Sequence, residues 1–99
     1  MRLAIFALLL STAPAFAEGA LNFDINKLCL WQSQNNGMNL TECTDLETEA
    51  QISTVTLELK ADIARKTACV DEARNYSGDS GFASYTVYSE CLRNGPGSL

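Results

Sequence analysis

From Leu40 to Asn75 the chain runs without a glycine or a proline, and its small and apolar residues recur in steps of three and four. Cys43, Leu46, Ala50, Ser53, Leu57, Ala61, Ala64 and Ala68 form one row, the pattern of a helix face turned toward a core. A second row runs Ile52, Val55, Leu59, Ile63 and Val70. Two rows on one helix predict contact with more than one neighbour. Asn39, with Glu42 three residues on, marks the start as an asparagine form of the capping box, and Met38 is placed to pack against Cys43. The weak stretch is Ile52-Ser53-Thr54-Val55-Thr56, where four of five residues are β-branched. It predicts either a kink or break near Ser53 or an unbroken rod.

Shorter helices flank this run. Asp24 is placed to cap a helix starting at Ile25, in which Ile25, Leu28, Cys29 and Gln32 share a face and Leu30 and Trp31 lie to the side. Gln34-Asn35-Asn36-Gly37 reads as a turn. After a loop at Tyr76-Ser77-Gly78-Asp79-Ser80-Gly81, the segment Phe82 to Arg93 predicts a helix with Tyr85, Tyr88 and Leu92 on one face and Cys91 beside them. Tyr85-Thr86-Val87-Tyr88 has strand propensity as well. Asn94-Gly95-Pro96-Gly97 ends the helix, and a mobile tail is expected beyond it.

The first residues follow a different pattern. Arg2 precedes an apolar run from Leu3 to Leu10, Pro14 interrupts it, and Ala15-Phe16-Ala17 has the small residues of a cleavage site. Residues 1–17 therefore read as a signal peptide, the run being too short for a span of about 20 residues. Residues 18–99 read as one domain.

A domain this small buries little and calls for covalent help. Export changes the meaning of Cys29, Cys43, Cys69 and Cys91: an even count in an exported chain reads as two disulfides. A four-thiolate zinc site would show closely spaced pairs, which are absent. On one continuous helix Cys43 and Cys69 would stand about 39 Å apart, far beyond the roughly 7 Å that a disulfide spans. The turn at Gly37 brings Cys29 toward Cys43, and the Gly78–Gly81 loop brings Cys91 toward Cys69. The pairing Cys29–Cys43 with Cys69–Cys91 is therefore preferred; Cys29–Cys69 with Cys43–Cys91 stays open if the central helix folds on itself. The expected fold is all-α: a small disulfide-stapled helical domain, two helix-turn-helix hairpins sharing a long central helix.

Without Arg2, six basic and twelve acidic residues remain, a net charge of −6. Such a chain suits neither nucleic acid nor anionic lipid, and it suits a basic partner. Glu42, Asp45 and Glu49 stand at helical spacing and make one acidic ridge, either a solvated face near a positive helix end or a docking surface for a cation. There is no histidine, and oxidised cysteines offer no thiolate. The chain carries no cofactor motif, and Asp71-Glu72 with Asp79 departs from calcium-loop spacing. A carboxylate pair of the glycosidase kind needs a concavity, of which a domain of this size has little. These readings point away from an enzyme. Asn39-Leu40-Thr41 and Asn75-Tyr76-Ser77 are sequons, Asn39 being better explained as a cap. Trp31, Tyr76, Tyr85 and Tyr88 are assigned to core packing before any binding role.

The order of these features resembles the LprI-like lysozyme-inhibitor family, small exported helical domains of bacteria. The likeness lies in Cys29-Leu-Trp-Gln-Ser-Gln34-Asn-Asn-Gly-Met38-Asn39-Leu-Thr-Glu-Cys43, then Arg65-Lys-Thr-Ala-Cys69, the loop Ser77-Gly-Asp-Ser-Gly81, and Tyr88-Ser-Glu-Cys91-Leu92. The chain departs from the family in lacking its Trp and Tyr-Arg residues before the third cysteine and its Leu-Thr-x-x-Arg ending after the fourth. The resemblance implies a helical fold with two bridges and a non-enzymatic binding protein, periplasmic or secreted, that occludes a basic hydrolase such as lysozyme. Glu42, Asp45 and Glu49 are the expected contacts. The alternative is a structural cell-envelope component that self-associates through Ile52, Val55, Leu59 and Ile63.

Overall fold

The computed structural model describes residues 22–97, so the expected signal peptide at 1–17 lies outside the described residues. Four α-helices form in the order α1 (Ile25–Asn36), α2 (Leu40–Lys60), α3 (Ile63–Arg74) and α4 (Tyr85–Asn94), with a single 3₁₀ turn at Gly78–Ser80 before α4. No strand occurs among the described residues. Each α-helix is opened by a polar side chain that accepts a bond from a first-turn N–H: Asp24 from Lys27, Asn39 from Glu42, Asp62 from Arg65 and Ser84 from Val87. Gly37, in the left-handed region at φ 69°, ends α1 and reverses the chain into α2.

The long central run is two helices, and the division is not where β-branching places it. Helix α2 continues through Ser53 and stops at Ala61, which is extended at φ −97° and ψ 143°. The cost of β-branching is only a few tenths of a kcal/mol per residue, and Ile52 and Val55 stand free of crowding on the solvent side. Thr54 returns its hydroxyl to the Gln51 carbonyl. Asp62 supplies a capped new start, and Ala61, Leu57 and Val70 pack together against the cluster of Cys69, Ala73, Val87, Tyr88, Cys91 and Leu92. The bend folds α3 back onto α4 and keeps α2 against α4 as well. Helix α4 also begins later than Phe82, because Ser84 is the residue whose hydroxyl caps it.

Two disulfides staple the two hairpins. Cys29–Cys43 joins α1 to α2 with 5.6 Å between Cα atoms, and Cys69–Cys91 joins α3 to α4 with 5.5 Å. Neither joins one hairpin to the other. All four cysteines are buried and, with Leu28, Tyr85 and Tyr88, are the largest of the fully buried side chains. In the chain-entropy model each bridge contributes about 3 kcal/mol.

The hairpins meet where α2 crosses α4, around a buried carboxylate. Glu47 is 5% exposed. Its Oε2 accepts from the Ser84 hydroxyl at 2.7 Å and its Oε1 from the Tyr85 N–H at 2.6 Å, so the acid sits on the positive end of α4. Further along α2, Gln51 donates to the Tyr85 hydroxyl at 3.2 Å, and Glu58 accepts from the Tyr88 hydroxyl at 2.6 Å. Removing the Glu47 side chain strands two buried donors. Glu47→Ala is expected to lower the unfolding free energy by about 3 kcal/mol, and Glu47→Gln, which keeps one acceptor, by roughly half as much. Urea denaturation followed by circular dichroism measures both. A loss below about 1 kcal/mol for the alanine variant would show that the contact does not rest on this acid.

Candidate functional site

Helix α2 has two faces of opposite use. Cys43, Glu47 and Thr54 point inward and are buried. Half a turn away, Ile52, Val55 and Leu59 follow one another in steps of three and four and face solvent at 68%, 66% and 84% exposure. Ile63, just past the bend, is 77% exposed. The second apolar row therefore finds no neighbour within the described chain except at Val70, which packs on the α3–α4 core. The first row meets the core at Cys43, Leu57 and Ala61, while Leu46 is largely exposed.

The acidic ridge shares the outward face. Glu42, Asp45 and Glu49 are all exposed, and their helical spacing carries them onto the same side as Ile52. Glu42 is third in α2, and its N–H is the one that Asn39 caps at 2.9 Å. Among the described residues no base lies within ion-pair distance of the three acids; the one salt bridge found joins Arg93 and Glu90. The bases of the central run follow the apolar stripe: Lys60 ends α2, and Arg65 and Lys66 lie in the first turn of α3. Arg65 is engaged, donating to the Leu92 carbonyl at 3.2 Å. Along α2 the acids thus precede the apolar stripe and Lys60 follows it.

The three exposed acids gather negative charge at one end of this face. A cleft of about 320 Å³ lies elsewhere, between the entry to α1 and the loop before α4, and is lined by Asn22, Phe23, Asp24, Arg74, Gly81, Phe82 and Ala83. The described residues that line it include neither a thiolate nor a pair of carboxylates. Among the described residues no cluster of three or more Asp, Glu, His or Cys side chains is placed to hold a metal ion. Of the acids considered for calcium, Glu72 accepts from the Gly97 N–H instead. Asn39 is the α2 cap, and Asn75 ends α3 on an exposed turn.

The aromatic residues divide by position. Tyr85 and Tyr88 are core residues, with the Phe23 ring centred 4.6 Å from Tyr85 at a tilt of 40° and edge-on to Tyr88. Trp31 is half-buried against Tyr76 and Phe82, and the Tyr76 hydroxyl accepts from the Gln32 amide at 2.6 Å, which ties α1 to the loop before α4. Gln32 lies on the face that the helix pattern assigns to it, whereas Phe23 carries no local signal of its role; nothing local marks a hydroxyl 62 positions away as the acceptor for the Phe23 N–H.

The chain matches no protein-family model, no curated protein and no solved structure. No helix among the described residues is long and apolar enough to cross a membrane. Two disulfides with no free cysteine fit a protein of an oxidising compartment.

Burial raises the Tyr88 pKa well above its ordinary value near 10, and the hydrogen bond to Glu58 and the charge of that acid raise it further. The folded state thus holds the Tyr88 proton more tightly than the unfolded state does. Stability is independent of this group below pH about 10 and falls as pH rises past it. Denaturation midpoints measured at increasing alkalinity are expected to drop above that value, and to drop less in Tyr88→Phe. An unchanged slope in the phenylalanine variant would assign the alkaline loss to other groups.

Proposed function

We propose that this protein is an exported, non-enzymatic binding domain that docks on a cationic hydrolase such as lysozyme through Glu42, Asp45 and Glu49. The observation that carries the reading is the set of three exposed carboxylates on one face of α2 with no internal base to neutralise them. A rigid helix presents them, and the net charge of −6 over residues 18–99 favours fast encounter with a positive surface. The leader-like residues 1–17 and the paired cysteines support a periplasmic or secreted location, where such hydrolases act. The resemblance to the LprI-like inhibitors, carried by the Met38-Asn39…Cys43 segment and the cysteine order, supports the choice of target.

The test is the rate at which lysozyme clears cell-wall suspensions in the presence of the oxidised protein. Inhibition is expected at low ionic strength and is expected to weaken as salt rises. Glu42→Lys/Asp45→Lys should raise the inhibitory concentration about tenfold, since charges at a contact rim contribute up to about 1 kcal/mol each. Unimpeded clearing at low salt with the protein in molar excess would end this reading.

A further inference from the structure

The outward face of α2 is complementary to itself, and we infer that it pairs with the same face of a second copy of this chain, the two helices running antiparallel. Ile52, Val55 and Leu59 form one ridge on the side of α2 opposite the core, and Ile63, at the start of α3, is also exposed. Three large side chains, each about two-thirds exposed or more, stand together on a single face of α2, whereas surface apolar residues are ordinarily scattered.

Charge decides the occupant and the direction. Glu49 and Lys60 are about three turns apart and lie on the same flank of the ridge, one before the apolar stretch and one after it. In an antiparallel pair, a flank meets the same flank of the other helix. A two-fold axis close to Val55 then sets Ile52 against Leu59 of the second copy and Glu49 beside its Lys60, twice over. Neither residue has an ion-pair partner within the described chain. A parallel pair would hold two glutamates level at one end and two lysines level at the other. Antiparallel pairing also opposes the helix dipoles favourably. The contact is isologous, so it closes at two copies. It is also a short helix-on-helix contact, at the small end of specific interfaces, so the dimer dissociates on dilution. Glu42 and Asp45 lie outside the apolar contact, whereas Glu49 is common to this pairing and to the lysozyme reading, so the pairing is tested with lysozyme absent.

Sedimentation equilibrium of the oxidised protein across a wide concentration series, without lysozyme, tests the inference. A monomer–dimer equilibrium is expected. Leu59→Lys should weaken the dimer by more than about tenfold, because it sets a charge against Ile52 of the second copy inside the apolar contact, while leaving helicity and the thermal midpoint unchanged, since the side chain touches no core. Glu49→Lys and Lys60→Glu should each weaken it about fivefold, and the double variant should return to within about twofold of the parent. A monomer at every concentration overturns the inference. So does binding of the monomer to phosphatidylcholine vesicles that is lost in Leu59→Lys, which would make the face a lipid-contacting one. A dimer in which the double variant does not recover overturns the antiparallel arrangement.

Discussion

Each disulfide closes a hairpin that the chain would form locally, so the domain as a whole depends on the contact between α2 and α4, and that contact is organised by the carboxylate of Glu47. An acid is costly to bury. Here both oxygens are met at once by donors at the start of α4, the Ser84 hydroxyl and the Tyr85 N–H, where the helix end is positive. The same Ser84 oxygen accepts from Val87 N–H as the helix cap. One side chain thus completes the cap of α4, fixes the crossing point on α2 and brings Tyr85 and Tyr88 under Gln51 and Glu58. Replacing this contact by apolar packing would need core volume that a domain of this size lacks.

The division of labour on α2 follows. With Cys43, Glu47 and Thr54 turned inward, the ridge of Ile52, Val55 and Leu59 points away from every element of the described chain. The domain binds itself with polar contacts and cystines and leaves much of its aliphatic surface outside. In most small domains the aliphatic residues fill the core and the acids lie outside; on α2 this is partly reversed at Glu47. That inversion leaves an apolar ridge beside an acidic end on the outward face of α2.

Some of the domain is legible from sequence because the deciding interactions are local. Asp24 and Asn39 as caps, Gly37 as the reversal, and the pairing of Cys29 with Cys43 and Cys69 with Cys91 all follow from spacing within a hairpin. The helix face of Tyr85, Tyr88, Cys91 and Leu92 is equally plain, and all four are buried. The acidic ridge is legible as a spacing, and its exposure agrees with that of a solvated helix face.

What the sequence by itself determined is therefore an all-helical chain, a preference for staples within each hairpin, and the two rows along the central run. Only the tertiary structure decided which row is inside. An apolar row predicts burial, yet the row of Ile52, Val55 and Leu59 lies outside because the hairpin contact turned on Glu47, a residue that no hydrophobic pattern would place in a core. The division of the central run was likewise settled by packing. β-Branched residues near Ser53 lower helix propensity only slightly, whereas the bend at Ala61, capped by Asp62, lets α3 and α2 both lie on α4. Local propensities of a few tenths of a kcal/mol yield to contacts worth several times more, and those contacts join residues distant in the chain.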